Sequence, residues 1–258
     1  MDQPRNVIPL AEETGLILPL GRWVMEAAVR LALNWPTALE AGTVAVNVSP
    51  AQFAHDDIVA QAMAVIERTG FPAHRLELEV TEGLLMRDDV ETIAQMQELN
   101  ACGVHFSIDD FGTGHSSLCR LKQLPVNKLK VDQSFVRSLD TDADDEMIAR
   151  TVLALGQGLG LETLAEGIET PDQLALLNSW GCNAGQGFLL ARPMPASALP
   201  AFLETTSPPL PLVLDASSHA KSPPSPLYAS RDGGSAAILA RTVDHSASFA
   251  PQARAQNS

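Results

Sequence analysis

At 258 residues, with 45% hydrophobic residues, the chain can hold one large α/β domain or two small ones around a sizeable core. A formal net charge of −14 argues against a general DNA or RNA binder, which carries a basic face. An acidic protein still takes a phosphorylated ligand where bound metal ions invert the local charge.

No apolar run reaches the roughly 18 residues needed to cross a bilayer, so no membrane insertion by this chain is expected. The stretch Met1 to Asn6 lacks the basic and apolar regions of a signal peptide. Cys102, Cys119 and Cys182 follow no metal or redox spacing. They read as reduced, partly buried thiols of a cytoplasmic protein.

In chain order, Val7 to Leu16 already looks like the interior of a domain, with no lead-in strand. From Gly21 to Trp35, Trp23, Val24, Ala27, Ala28 and Leu31 recur at helical spacing until Pro36. A short strand spans Thr43 to Val48, and a helix from about Pro50 to Arg68 stops before Gly70 and Pro72. Leu76 to Thr81 alternates, with Glu77, Glu79 and Thr81 on one face. A helix spans Asp88 to Asn100.

After the strand that carries Asp109 and Asp110 comes a short helix from Ser116. The strand Asn127 to Asp132 then places Lys128, Lys130 and Asp132 on one face. Helices over 142–159 and 171–180 flank a strand at Glu162 to Glu166, and Ala184 to Phe188 is the last strand. From 207 to 258 the composition turns Pro-, Ser- and Ala-rich, as in a disordered tail behind a domain of residues 1–206.

The stretch Val104 to Gly114 runs a β-favouring segment into adjacent carboxylates and a Gly-x-Gly turn. Strand neighbours point to opposite faces, so Asp109 and Asp110 are expected to converge only where the strand ends. Paired carboxylates there suit hard divalent cations, and one carboxylate can bridge two ions; an Asp-rich turn is the plainer alternative. Asp110-Phe111-Gly112 matches a kinase tripeptide, but the other kinase motifs are absent.

Strands alternating with helices predict parallel pairing with right-handed crossovers, in an open doubly wound sheet or a (β/α)8 barrel. The glycines from Gly156 to Gly160 lack dinucleotide-fold spacing. Asn47, Glu79, Asp109, Asp110, Lys130, Glu166 and Gln186 all fall at C-terminal strand ends, which a barrel gathers at one mouth. A TIM-like barrel is therefore expected, two strands short of eight.

Seven stretches, in order, resemble the EAL domain family of bacterial cyclic di-GMP phosphodiesterases. They are Pro9 to Leu16, Val46 to Ser49, Leu76 to Glu82, Ile108 to Gly114, Leu124-Pro125 with Leu129 to Asp132, Ala165 to Thr170, and Gly181-Cys182 with Gln186 to Phe188. The resemblance implies hydrolysis of cyclic di-GMP to the linear dinucleotide in second-messenger signal transduction, by a homodimer with two Mg²⁺ or Mn²⁺ ions. It implies Asn47, Glu79 and Asp109 as ligands of one ion, and Asp109, Asp110 and Glu166 around the other. Lys130 and Gln186 match groups that hold the attacking water, Glu169 an acceptor behind them, and Glu82 a support for the loop after Asp110.

Taken singly, Asn47 could cap the next helix, Glu79 and Lys130 could form a plain buried ion pair, Glu166 and Glu169 could decorate a helix start, and Gln186 could be an ordinary buried amide.

The chain contains no Glu-Ala-Leu tripeptide, the family's own signature and source of another ligand. Its first two barrel strands are therefore expected to be missing, through truncation, a misassigned start or a split domain. His115, Asn127 and Gln133 also depart from the family's usual residues. An inactive EAL-like module that binds cyclic di-GMP or a protein, or an unstable fragment, stay open beside an impaired enzyme.

Overall fold

The computed structural model describes residues 4–36, 39, 42–85, 89–113 and 118–205. The expected tail, His115 and Ser116 lie outside them. From the N-terminus, α1 (Pro4–Thr14) and α2 (Ile17–Ala32) lead to β1 (Val44–Asn47), α3 (Pro50–His55) and α4 (Ile58–Thr69). Then follow β2 (Leu76–Thr81), α5 (Glu82–Leu85), α6 (Val90–Ala101), β3 (His105–Phe111) and α7 (Leu118–Leu121). The remainder is β4 (Lys128–Val131), α8 (Gln133–Arg137), α9 (Ala143–Leu159), β5 (Glu162–Ala165), α10 (Pro171–Ser179), β6 (Ala184–Gly185) and α11 (Leu199–Thr205).

All neighbouring strands pair in parallel, in the order β1-β2-β3-β4-β5-β6. Each parallel crossover carries helix, and these helices cover the apolar face of the sheet. Phe106 and Ile108 of β3 are fully buried, and α6 packs on this strand with Met96 and Leu99 in the same core. Leu129 and Val131 of β4 are buried likewise, with α9 packed on that strand. Burying each such side chain contributes about 1.5–3 kcal/mol.

The opposite face is polar yet also buried. Lys128 of β4 reaches Glu77 of β2 across the intervening strand. Glu77, Glu79, Ser107, Lys128 and Lys130 are all buried on this face, as a sheet curled toward its polar side makes them. The alternation read in Leu76 to Thr81 is real, but Glu77 and Glu79 face the interior of a TIM-like curled sheet. Among the described residues, β1 and β6 pair on one side only.

Several boundaries differ from the sequence pattern. Val7 to Thr14 lies within α1, despite Pro9 in its interior; proline removes one intrahelical donor, so propensity alone argues against this helix. The single helix expected from Pro50 to Arg68 is two. Asp56 leaves helical geometry and pairs with Arg22, and Asp57 Oδ1 accepts from Ala60 N at 2.8 Å to cap α4. The last strand is only Ala184–Gly185, because the chain then wraps around Ile168: Gln186 O accepts from Ile168 N at 3.0 Å, and Leu189 N donates to Ile168 O at 3.0 Å. Cys182 is buried, but Cys102 is exposed.

Candidate metal centre

Parallel strands bring their C-terminal ends to one rim. Asn47 ends β1 and stands in register with Glu79. Asp109 and Asp110 lie near the end of β3, and Lys130 near the end of β4. Glu166 follows β5 directly, its N–H donating to Val131 O at 3.0 Å, and Gln186 follows β6, its N–H donating to Ala165 O at 2.8 Å.

Lys130, only 1% exposed, is the hub. Its Nζ lies 2.9 Å from Glu79 Oε1, 2.9 Å from Asp109 Oδ1 and 2.6 Å from Glu166 Oε1. Burial alone lowers an ammonium's pKa, but Glu79, Glu166 and Asp109 outweigh it and hold Lys130 well above its ordinary value. The lysine stays charged, as a donor and not a free base. Burial pushes the Glu79 carboxyl up, with Lys130 opposing and Asp109 adding to the rise. The buried Glu79–Lys130 pair foreseen from the strand pattern is thus one arm of a four-residue cluster.

Asp109 and Asp110 do not converge because the strand has ended. Both lie inside β3, where the pairing with β4 shifts register between Ile108 and Phe111. Asp110 takes a φ of 56°, a left-handed conformation that few non-glycine residues adopt. A bulge of this kind re-aims one side chain. Oxygens of Asp109, Asp110 and Glu166 consequently come within 4.8 Å of one another.

Burial, a hydrogen bond with Asp132, and the charges of Asp109, Asp132 and Glu166 push the Asp110 carboxyl up to about 7. Asp132 moves down: burial raises it, but hydrogen bonds from Ser134 outweigh that, and Asp132 Oδ1 accepts from Ser134 N at 2.8 Å to cap α8. Asp132 was on the expected polar face of β4 yet absent from the expected site. Its link to Asp110 depends on the bulge, which no pattern announces.

Glu82, buried at the start of α5, accepts through Oε2 from Gly112 N at 3.0 Å, just where the chain turns with a φ of 102°. Asn47 is exposed at the rim and does not cap α3. Ser49 does, its Oγ accepting from Ala51 N and its N–H donating to Gln52 Oε1, both at 3.1 Å. Thr170 caps α10, so Glu166 and Glu169 precede the helix instead of decorating its first turn. Glu169 is exposed, with its N–H on Gln173 Oε1 at 2.8 Å, and Gln186 is half-buried beside Ile168.

The donor set fits hard divalent cations. Three buried carboxylates, Glu79, Asp109 and Glu166, share one ammonium, Lys130, and the exposed Asp110 adds a fourth carboxylate beside Asp109 and Glu166. Oxygen ligands of this kind suit Mg²⁺ and Mn²⁺.

A family model described as EAL domain matches residues 1–193. The bifunctional diguanylate cyclase/cyclic di-GMP phosphodiesterase MucR of Pseudomonas aeruginosa is 45% identical over 197 residues, or 76% of this chain and 29% of that protein. The chain therefore spans less than a third of that curated relative. Among solved structures, the PaMucR phosphodiesterase in complex with c-di-GMP matches with a TM-score of 0.72 and 45% identity, over 76% of this chain and 80% of that chain. BlrP1 of Klebsiella pneumoniae, a manganese and cyclic di-GMP complex, matches with a TM-score of 0.60 and 28% identity, over 68% of this chain and 44% of that one.

Proposed function

Because the chain belongs to the EAL domain family, we propose that it is a metal-dependent phosphodiesterase domain that hydrolyses cyclic di-GMP to the linear dinucleotide in bacterial signalling. The observation that carries this reading is the buried cluster of Lys130 with Glu79, Asp109 and Glu166, joined by Asp110 through the β3 bulge. Asn47, Glu79 and Asp109 would hold one Mg²⁺ or Mn²⁺ ion, and Asp109, Asp110 and Glu166 a second. Such ions, when bound, lower the pKa of water and offset phosphate charge.

The chain's own groups do the rest. Lys130, kept charged, donates to the attacking water and orients it, with Gln186 as the second holding group. Water's oxygen bonds to phosphorus as the bond from phosphorus to one sugar oxygen breaks; the water gives up a proton and the departing sugar oxygen gains one, so the sum is one water consumed. Glu169 supports the water-holding groups from behind. Glu82 steadies the turn after Asp110 through Gly112 N.

Two features support a second reading, a domain that binds the nucleotide without opening it. The 258 residues contain no Glu-Ala-Leu tripeptide, and Lys130 already engages three of the carboxylates. On the favoured reading this chain, taken alone, turns over slowly because one carboxylate ligand is lacking. The reading also includes a cytoplasmic homodimer; no helix among the described residues is long and apolar enough to cross a membrane.

The test is cyclic di-GMP hydrolysis with Mg²⁺ or Mn²⁺, for the chain alone and fused behind a segment that carries a Glu-Ala-Leu strand. Slow turnover that the fusion raises and Asp109→Asn abolishes is the expected result. Nucleotide binding with no turnover in either form would leave the binding module.

A further inference from the structure

The connection from β5 to α10, residues 166–170, bears Glu166 and Glu169. Through Ile168 N, which donates to Gln186 O at 3.0 Å, it also holds the turn that bears Gln186. The connection lies close on α8: Gly167 turns with a φ of 73°, and a Cβ there would stand 2.6 Å from Gln133 Cβ. Behind it sits Gln173, 5% exposed near the start of α10. Its Oε1 accepts from Thr170 N at 3.1 Å and from Glu169 N at 2.8 Å. Its Nε2 donates to the backbone oxygen of Arg137, the last residue of α8, at 3.4 Å.

A helix cap alone does not require this arrangement. In a capping box the third helical residue takes only the N–H of the cap residue, and Glu serves there as well as Gln. The cap of α3 supplies the comparison within the same molecule. Gln52, 2% exposed, takes Ser49 N–H through Oε1 at 3.1 Å and makes no second side-chain hydrogen bond among the described residues. Gln173 adds two bonds outside its box, one as acceptor from Glu169 N and one as donor to Arg137 O. An amide carries both an acceptor and a donor, and an ionised carboxylate cannot donate.

We propose that Gln173 is a positioning residue for the hydrolysis. It ties the 166–170 connection to α8, and so fixes Glu169 and, by way of Ile168, Gln186 relative to Lys130 on β4. Gln173 itself touches neither substrate nor ion. A small displacement of groups that hold the attacking water slows the chemical step far more than it weakens substrate binding, so the effect falls on kcat and not on KM. The inference rests on the phosphodiesterase reading.

The test joins amide hydrogen exchange of the full chain to steady-state hydrolysis of cyclic di-GMP with Mn²⁺, with thermal melts as the check of folding. Gln173→Met keeps the length of the side chain and loses all three of its bonds. The Ile168 and Glu169 N–H groups should then exchange about tenfold faster, and kcat should fall about tenfold with KM within about twofold. Thr170→Ala is the control, because it removes the hydroxyl that accepts from Gln173 N at 3.2 Å and leaves the Gln173 amide in place. It should lower the melting temperature by about 2–4 °C, with kcat and Ile168 exchange within about twofold of the unmodified chain. A Gln173→Met kcat within about twofold of the unmodified chain overturns the proposal, and so does a Thr170→Ala whose kcat falls as far as that of Gln173→Met. Should Gln173→Met not fold, Gln173→Asn takes its place, one carbon too short to reach Glu169 N and Arg137 O together. The same tenfold fall in kcat then supports the proposal, and a change of less than about twofold overturns it. An unmodified chain without turnover, both alone and behind a Glu-Ala-Leu strand, would instead overturn the phosphodiesterase reading and this inference with it.

Discussion

Replacing Lys130 by Met keeps much of its length and apolar stem but removes the ammonium that three carboxylates share. Those contacts, at 2.9, 2.9 and 2.6 Å, lie where the lysine is 1% exposed. Breaking one buried ion pair by deleting a partner costs about 3–5 kcal/mol. Three partners do not triple this figure, because the stranded carboxylates can take up protons, and each unit of upward shift relieves about 1.4 kcal/mol. A loss of about 3–5 kcal/mol at pH 8 is therefore expected, a fall in the urea midpoint on the order of 1–2 M.

The sign of its pH dependence follows from Glu79. Burial already raises that carboxyl and Lys130 opposes the rise; without the lysine it moves further up. A carboxyl raised in the folded state holds more protons there than in the unfolded chain, so stability falls as pH rises through the window between the two values. The deficit of Lys130→Met should be greatest at pH 8 and shrink toward pH 5, and Mn²⁺ should narrow it. Urea denaturation at both pH values, with and without Mn²⁺, reads all three effects. A deficit below about 1 kcal/mol at pH 8, or one equal at the two pH values, would refute the reasoning.

Asp110, raised to about 7, gives the metal-free chain stability that is lost as pH rises through about 7. Asp110→Asn should flatten the melting-temperature profile of the metal-free protein between pH 6 and 8. A Cβ added at Gly187 would lie 2.1 Å from Ile168 O and 2.3 Å from Ile168 N, both backbone atoms. Gly187→Ala should thus displace Gln186, lowering kcat about tenfold with a smaller change in KM, as steady-state hydrolysis would show. Glu82→Gln keeps the shape but weakens the charge-assisted bond from Gly112 N. Turnover should fall several-fold while the melting temperature moves by only a few degrees, about the effect of 1 kcal/mol.

The strand ends that form the rim were legible because parallel order and the positions of polar residues along β2, β3 and β4 both follow from alternation. What alternation cannot tell is whether a polar face meets solvent or the inside of a curled sheet. Glu77, Glu79, Lys128 and Lys130 look the same in either case, and only the cross-strand contacts decide it. The convergence of Asp109 and Asp110 was expected for the wrong reason. It comes from a one-residue shift in pairing and a left-handed Asp110, features set by tertiary packing and not by local preference. The same shift brings Asp132 into contact with Asp110. Val7 to Leu16 carried no predicted element, and α1 forms there although an interior Pro9 argues against a helix; Asp56-Asp57 broke a helix whose apolar spacing ran on without a mark.

Crystals of the chain soaked in Mn²⁺ and measured at the manganese absorption edge address the metal centre most directly. Two anomalous peaks are predicted at the rim, one among Asn47, Glu79 and Asp109 and one among Asp109, Asp110 and Glu166, with Asp109 touching both. No manganese at the rim, with Lys130 still joined to Glu79, Asp109 and Glu166, would contradict the two-ion centre and leave the cluster as an ion-pair network.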